Sequence, residues 1–303
     1  MRRLFYCDHH EIELPPGHKF PMRKYRLTRE LLASDGAYGF EAAPFAARED
    51  LERVHHPAYV ERFLAGTLDP AVIRRIGFPW SDGLVRRTLA SVGGTLAATR
   101  DALDRRYGGN LAGGTHHAFR DEGSGFCVFN DMAVAALWLR THAGVERVAV
   151  VDCDVHQGDG TAQIFNGDPK VFTLSIHGRK NFPFRKQQST LDIELEDGVE
   201  DENYLAVLET ALARVMDWKP NFLFYQSGVD GLACDVLGRL ALTHDGLKRR
   251  DRLVVGACAG AKIPVVITQG GGYGDPIEQT ALAHANTFRT ALEVFGNGWE
   301  SAT

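Results

Sequence analysis

The sequence predicts an α/β protein built on a single open, mostly parallel β-sheet with helices on both faces. Three observations carry this. Four short runs, at 147–153 (RVAVVDC), 171–176 (VFTLSI), 221–228 (NFLFYQSG) and 264–271 (PVVITQGG), are apolar at odd and even positions alike and close on polar or glycine residues. Strands covered on both faces have that pattern. Longer segments with helical spacing lie around them, at 83–107, 129–142, 201–218, 243–261 and 276–295. Strand and helix alternate with no low-complexity linker and no internal repeat, so residues 1–303 are expected to form one domain.

Taken in chain order, the first 60 residues are the least regular, because Pro15 and Pro16 in LPPGHKFPM break any element there. In ERVHHPAYVERF, Pro57 suits the first turn of a helix, so His55 and His56 read as helix entry, and His9 and His10 as structural too. The helix at 83–107 leads to NLAGG (110–114), a short apolar stretch expected to end a strand. The helix at 129–142 takes Asn130 or Asp131 as its N-cap. The basic, turn-rich segment 179–190 reads as an exposed loop after the strand ending at Ile176. In an open parallel sheet, ligands sit beyond the carboxyl ends of the strands. Chemistry is therefore expected at Asp152–Asp159, Ser175–His177, Gln226–Asp230 and Gln269–Tyr273.

Composition narrows the function classes. The 303 residues are 44% hydrophobic and 24% charged, and a net charge of -5 argues against a nucleic-acid partner, which calls for a basic face. No run approaches the roughly 18 apolar residues of a membrane span. The N-terminus reaches Asp8, His9 and His10 too soon for the apolar region of a signal peptide. Five scattered cysteines, Cys7, Cys127, Cys153, Cys234 and Cys258, form no CxxC pair. Reduced thiols in a cytoplasm are the expectation, and a structural zinc knuckle is excluded.

Four motifs could carry chemistry. In VAVVDCDVHQGDGTAQIF (148–165), strand alternation points Asp154 and His156 the same way. Asp230, after the strand FLFYQS and a glycine, arrives at the same sheet edge. One histidine and two carboxylates leave an open position on zinc or iron; taken singly, each residue could instead cap a helix or fill a turn. In GGTHHAF (113–119), His116 and His117 could supply a general base and a group assisting the leaving side, with Asp152 and Asp159 as spare carboxylates to orient them. In TQGGGYGD (268–275), Gly271 and Gly272 let the backbone approach a ligand, and Tyr273 could donate to a developing oxyanion. In DEGSGFCVFND (121–131), Phe126 and Phe129 read either as core aromatics or as an apolar wall beside a metal. There is no GxGxxG in a dinucleotide-binding context and no GxSxG.

GGTHHAF, SGFCVFND, VVDCDVHQGDGT, SGVDGLACDVLG and QGGGY occur in the order and approximate spacing of the histone deacetylase superfamily. The chain resembles that family over nearly its whole length. DHHEIELPPGHKFPMRKYRLTRELL and GLKRRDRLV look most like bacterial deacetylase-like proteins and the class IV group. The resemblance implies the arginase/deacetylase fold, with zinc on Asp154, His156 and Asp230. It implies that Asp152 pairs with His116 and Asp159 with His117, and that Tyr273 binds the substrate carbonyl. Gly125 and Phe126 would line an acyl-lysine tunnel, with Phe182 and Phe184 competing as its second wall. It further implies a structural potassium ion held by Asp152, Asp154, the Ser175 hydroxyl and the carbonyls of His156 and Ile176. The acidic rim loop of the eukaryotic class I enzymes has no convincing counterpart, Asp82 being the nearest.

The expected activity is zinc-dependent removal of an acyl group, most simply acetyl, from lysine side chains or a related small N-acyl amine, with His117 as base, His116 assisting and Tyr273 stabilising the oxyanion. Two alternatives stand beside it. An arginase-type ureohydrolase with two manganese ions needs further carboxylates, and after Asp230 the next is Asp235. A non-enzymatic binding module would not require Tyr273. The sequence does not define the substrate or the oligomeric state.

Overall fold

The structure, a computed structural model, describes residues 1–296. Eight strands form one sheet: β1 (Arg2–Tyr6), β2 (Tyr38–Ala42), β3 (Tyr107–Asn110), β4 (Val148–Asp152), β5 (Val171–Gly178), β6 (Leu191–Leu195), β7 (Phe222–Gln226) and β8 (Val265–Thr268). All neighbours are parallel, in the order β2-β1-β3-β8-β7-β4-β5-β6. The helices are α1 (Arg23–Ser34), α2 (Arg48–Leu51), α3 (Pro57–Leu64), α4 (Pro70–Ile76), α5 (Asp82–Arg105), α6 (Asp131–His142), α7 (Asp159–Phe165), α8 (Asp201–Asp217), α9 (His244–Gly260) and α10 (Ile277–Phe295). This is the open α/β sheet the sequence predicts, and it agrees with the arginase/deacetylase fold.

The central strands are apolar throughout because each face meets its own core. Val148 and Val150 of β4, Phe222 and Phe224 of β7 and Val266 of β8 point into the layer of α5 and α6. Ala149, Val151, Leu223, Tyr225, Val265 and Ile267 point into the layer of α8, α9 and α10. Burying a side chain of this size contributes about 1.5–3 kcal/mol, and both layers converge on strands whose polar ends lie at one edge.

The irregular N-terminus expected from the sequence is corrected by β1, α1 and β2. Strand β1 pairs with both β2 and β3, and its first arginine has a tertiary use: the Arg2 guanidinium is buried and donates to the carbonyls of Arg105, Phe295 and Gly296. Segment 179–190 is only partly exposed, since Asn181 and Ser189 are buried and the chain runs on into β6. His56 caps α3 by accepting from the Ala58 N–H, with Pro57 in the first turn. Asn130 is the N-cap of α6, accepting from the Ala133 N–H at 3.0 Å. All five cysteines are free thiols. Among the described residues no helix is long and apolar enough to cross a membrane.

Candidate metal centre and active site

Register brings the chemistry together. Asp152 lies opposite both Ser175 and Gln226, Gln226 opposite Thr268, and Thr268 opposite Asn110, so β3, β4, β5, β7 and β8 end at one edge. Strand β4 stops at Asp152. Asp154 and His156 are therefore placed by the loop beyond it rather than by the strand alternation expected. Arg250 of α9, wholly buried, ties the loops after β4 and β7 together. It donates to the carbonyls of Gly228 (2.5 Å), Ser227 (3.2 Å) and Cys153 (3.5 Å) and pairs with Asp251 at 2.8 Å.

His156 Nδ1 sits 3.0 Å from both Asp154 Oδ1 and Asp230 Oδ2, and one ligand atom from each of the three lies within 4.8 Å of the others. Backbone donors aim the carboxylates: Gly271 N–H donates to Asp154 Oδ2 (2.7 Å) and Val155 N–H to Asp230 Oδ1 (2.8 Å). Two buried carboxylates at this separation require positive charge between them. With protons alone to supply it, burial and the Asp154 charge push the Asp230 carboxyl up to about 7. Burial opposes protonation of His156, yet the two carboxylates outweigh it and lift the imidazole to about 10. Two oxygens and one imidazole nitrogen, buried and pre-aimed, fit a zinc- or iron-type divalent cation with open positions.

Beside this triad stand two histidine–carboxylate pairs. His116 Nδ1 is 2.6 Å from Asp152 Oδ2, and His117 Nδ1 is 2.6 Å from Asp159 Oδ1. The rings lie 4.1 Å apart between centroids, with His116 Nε2 4.0 Å from Asp154 Oδ1. Burial works against a charged His116, but Asp152 and Asp154 overcome it and raise its pKa to about 9. Burial and the neighbouring His116 lower His117 to about 4. The glycine-rich loop that carries both is fastened by Asp131. That carboxylate accepts from Gly114 N–H (3.0 Å), Thr115 N–H (2.8 Å), the Thr115 hydroxyl (2.7 Å) and the Thr95 hydroxyl (2.6 Å). Gln226 holds the same loop by donating to the Gly114 carbonyl at 2.8 Å.

Tyr273 lies across the triad, its ring 6.4 Å from that of His156, and its N–H donates to Asp235 at 2.6 Å. Burial, then the charges of Asp154 and Asp230, keep its phenol well above the usual range and so protonated. Behind it, Lys24 is wholly buried. Its Nζ donates to the carbonyls of Gly270 (2.9 Å) and Gly272 (3.3 Å) and lies 5.1 Å from the Tyr273 ring centroid; burial lowers its pKa to about 8. Sequence reasoning missed Lys24, Arg250 and the anchoring role of Asp131. A buried cation in an otherwise amphipathic helix reads as a surface residue, and Asp131 beside Asn130 reads as a cap.

A cleft of about 780 Å³ descends to His117, His156 and Tyr273 between Gly125, Phe126, Phe182 and Phe184. Phe182 stands edge-on to His117 at 4.9 Å, while Phe184 is 87% exposed at the mouth. Gly271 lines a small inner cavity together with His116, His117, Asp154, His156 and Tyr273, and its N–H orients Asp154. Ser175 Oγ is 2.9 Å from His177 Nδ1, and Ile176 follows it in β5. Asp82 lies in the first turn of α5, away from the cleft lining.

Comparison with known proteins adds the family context. A model of the histone deacetylase domain matches residues 18–289. An uncharacterized protein of Picosynechococcus sp. is 46% identical over 296 residues, covering 96% of this chain and 99% of that protein. The acetoin utilization protein AcuC of Bacillus subtilis is 32% identical, covering 84% of this chain and 73% of its own. Histone deacetylase clr6 of Schizosaccharomyces pombe is 30% identical, with 85% and 69% covered.

Proposed function

Because the chain belongs to the histone deacetylase family, we propose that it is a zinc-dependent amidohydrolase that removes an acyl group, acetyl in the simplest case, from lysine side chains or a related N-acyl amine. The observation that carries this is the meeting of Asp154, His156 and Asp230 with two His–Asp pairs and Tyr273 at the foot of one cleft.

Asp154, His156 and Asp230 would hold the zinc ion, whose chemistry when bound is Lewis-acid activation of a water molecule and of the acyl carbonyl. His117, which faces the cleft and whose Nδ1 is held by Asp159, takes the proton from the attacking water at its free nitrogen. His116, held by Asp152 deeper in the site, favours the developing negative charge electrostatically, and the amine departs with the proton that the histidine pair took from the water. Tyr273 donates a hydrogen bond from its phenolic O–H to the oxyanion. Gly125, Phe126 and Phe182 exclude water from the acyl-bearing arm. Asp152 at the end of β4 and Ser175 opposite it in β5, with Asp154 and the carbonyls of His156 and Ile176, are the donors we assign to a potassium ion. Five free thiols suit a reducing cytoplasm.

The arginase-type alternative would need Asp235 for a second metal. That carboxylate is already engaged by the N–H groups of Leu237 (2.9 Å), Gly238 (2.8 Å) and Tyr273 (2.6 Å). Elemental analysis together with turnover of an acetyl-lysine peptide tests the proposal. One zinc per chain with hydrolysis is the expected result, and Asp154→Ala should lose both. Two manganese ions per chain would favour the alternative. Full zinc retention in Asp154→Ala would remove that residue from the ligand set.

A further inference from the structure

The mouth of the cleft is strongly basic, although the chain carries a net charge of -5. Lys19, Arg74, Arg75, Lys180 and Arg239 all line it, all are exposed, and no acidic residue lines it. They come from the segment before α1, the last turn of α4, the turn after β5 and the loop after β7, so the fold gathers them from separate stretches of chain. Two carboxylates reach them from outside the lining. Glu122 pairs with Arg75, and Asp197 is shared by Lys180 (3.4 Å) and Arg239 (3.3 Å). Lys19 and Arg74 have no ion-pair partner among the described residues. The mouth therefore holds a surplus of positive charge over low-dielectric walls, which concentrates anions there.

A second observation bears on the size of the occupant. Four large hydrophobic side chains are exposed among the described residues, and two of them, Phe184 (87%) and Val236 (63%), stand on this rim. Cations alone would satisfy a small anion. Apolar side chains left in water beside them match an occupant with chain enough to cover them.

Resting on the deacylase reading, we infer that the acyl amine is presented by a polypeptide segment in which Asp or Glu flank the acyl-lysine, and that basic tails and polyamines are disfavoured. Like charges facing each other across a rim slow association and suppress the wrong partner. Exposed pairs are individually weak, so the preference comes from the set and depends on salt.

The test uses zinc-loaded full-length protein and two acetyl-lysine peptides of equal length, one with Asp and Glu at the flanking positions and one with Lys and Arg. Free Nε-acetyl-lysine and acetylspermidine complete the panel. At low ionic strength kcat/KM should favour the acidic peptide by roughly tenfold or more, narrowing towards parity at about 0.5 M salt. A Lys19→Glu, Arg74→Glu double variant should shrink the ratio several-fold. Parity of the two peptides at low salt would overturn the inference, as would faster turnover of acetylspermidine or free acetyl-lysine than of the acidic peptide. Binding of the same peptides, labelled and followed by anisotropy, separates this from the parent reading. If nothing is hydrolysed the deacylase assignment falls, and salt-sensitive preference for the acidic peptide still decides the charge selection.

Discussion

Replacing Gly125 by alanine adds one methyl group against His117 and Phe182. Gly125 has φ +52°, and a Cβ there would lie 2.7 Å from His117 Cδ2 and 3.1 Å from Phe182 Cε1. The left-handed backbone costs an L-residue about 1–2 kcal/mol of stability. Ordinary carbon contacts are about 3.5–4.0 Å, so His117 or the loop must move by roughly 0.8 Å or more. The ring has little room to retreat, held at 2.6 Å by Asp159 and packed 4.9 Å from Phe182 and 4.1 Å from His116. A displacement near 1 Å of a positioned group lowers turnover by about 100-fold. Gly36→Ala is the matched control, since its φ is +65° and nothing lies within 4 Å of its Cβ. Urea unfolding should show similar losses for both variants, whereas kcat on an acetyl-lysine peptide should fall only in Gly125→Ala. Turnover within threefold of wild type in Gly125→Ala, or an equal fall in Gly36→Ala, would refute the reasoning.

Tyr273→Phe should lower kcat by roughly two to three orders of magnitude while zinc content stays at the wild-type level; near wild-type activity would remove the oxyanion role. Asp131→Asn turns an amide N–H towards donors that a carboxylate now satisfies, and should cost about 3 kcal/mol in urea unfolding; a loss below about 1 kcal/mol would show that the loop does not depend on that anchor. His55 is held as a neutral imidazole, its Nδ1–H donating to the Phe119 carbonyl (2.8 Å) and its Nε2 accepting from the Asn130 N–H (2.9 Å). Burial lowers its pKa to about 4, against about 6.5 unfolded. The unfolded chain then binds a proton that the folded one does not as pH falls below 6.5. Its contribution is intact above that value and is lost progressively down to pH 4, by about 3 kcal/mol. The stability difference between pH 7 and pH 4.5 should therefore shrink in His55→Gln, and an unchanged difference would contradict the assignment.

The strands with doubly apolar runs were readable because their patterning has one cause, a core on each face. Strand β3 was obscured by its own packing: in YGGN, a Cβ on Gly108 would fall 1.9 Å from the Ala98 carbonyl of α5, so close helix–strand contact demands a residue with no strand propensity. Strand β1 opens with two arginines, a polar signal whose explanation lies far away in sequence: carbonyls at the ends of α5 and α10 for Arg2, and the carboxylates of Glu41 and Asp101 for Arg3. At the site, Asp154, His156 and Asp230 were legible because residues of ligand type beyond strand ends have few other uses. Lys24 was not, since the carbonyls that receive its ammonium belong to residues 270 and 272.

The strand order also bears on how the chain is made. Strands β1 to β6 form two three-stranded halves, β2-β1-β3 and β4-β5-β6, and the two strands that join them, β7 and β8, are the last to be synthesised. Until β7 has emerged from the ribosome the inner edges of β3 and β4 both lack their partner strands, and β3 keeps an open edge until β8 follows, the kind of surface that invites pairing with another nascent chain. Asp230 and Tyr273 arrive only with that closing insertion. A polypeptide arrested before β7 thus carries His116, His117, Asp154 and His156 on two unjoined fragments, a sticky intermediate with no binding centre.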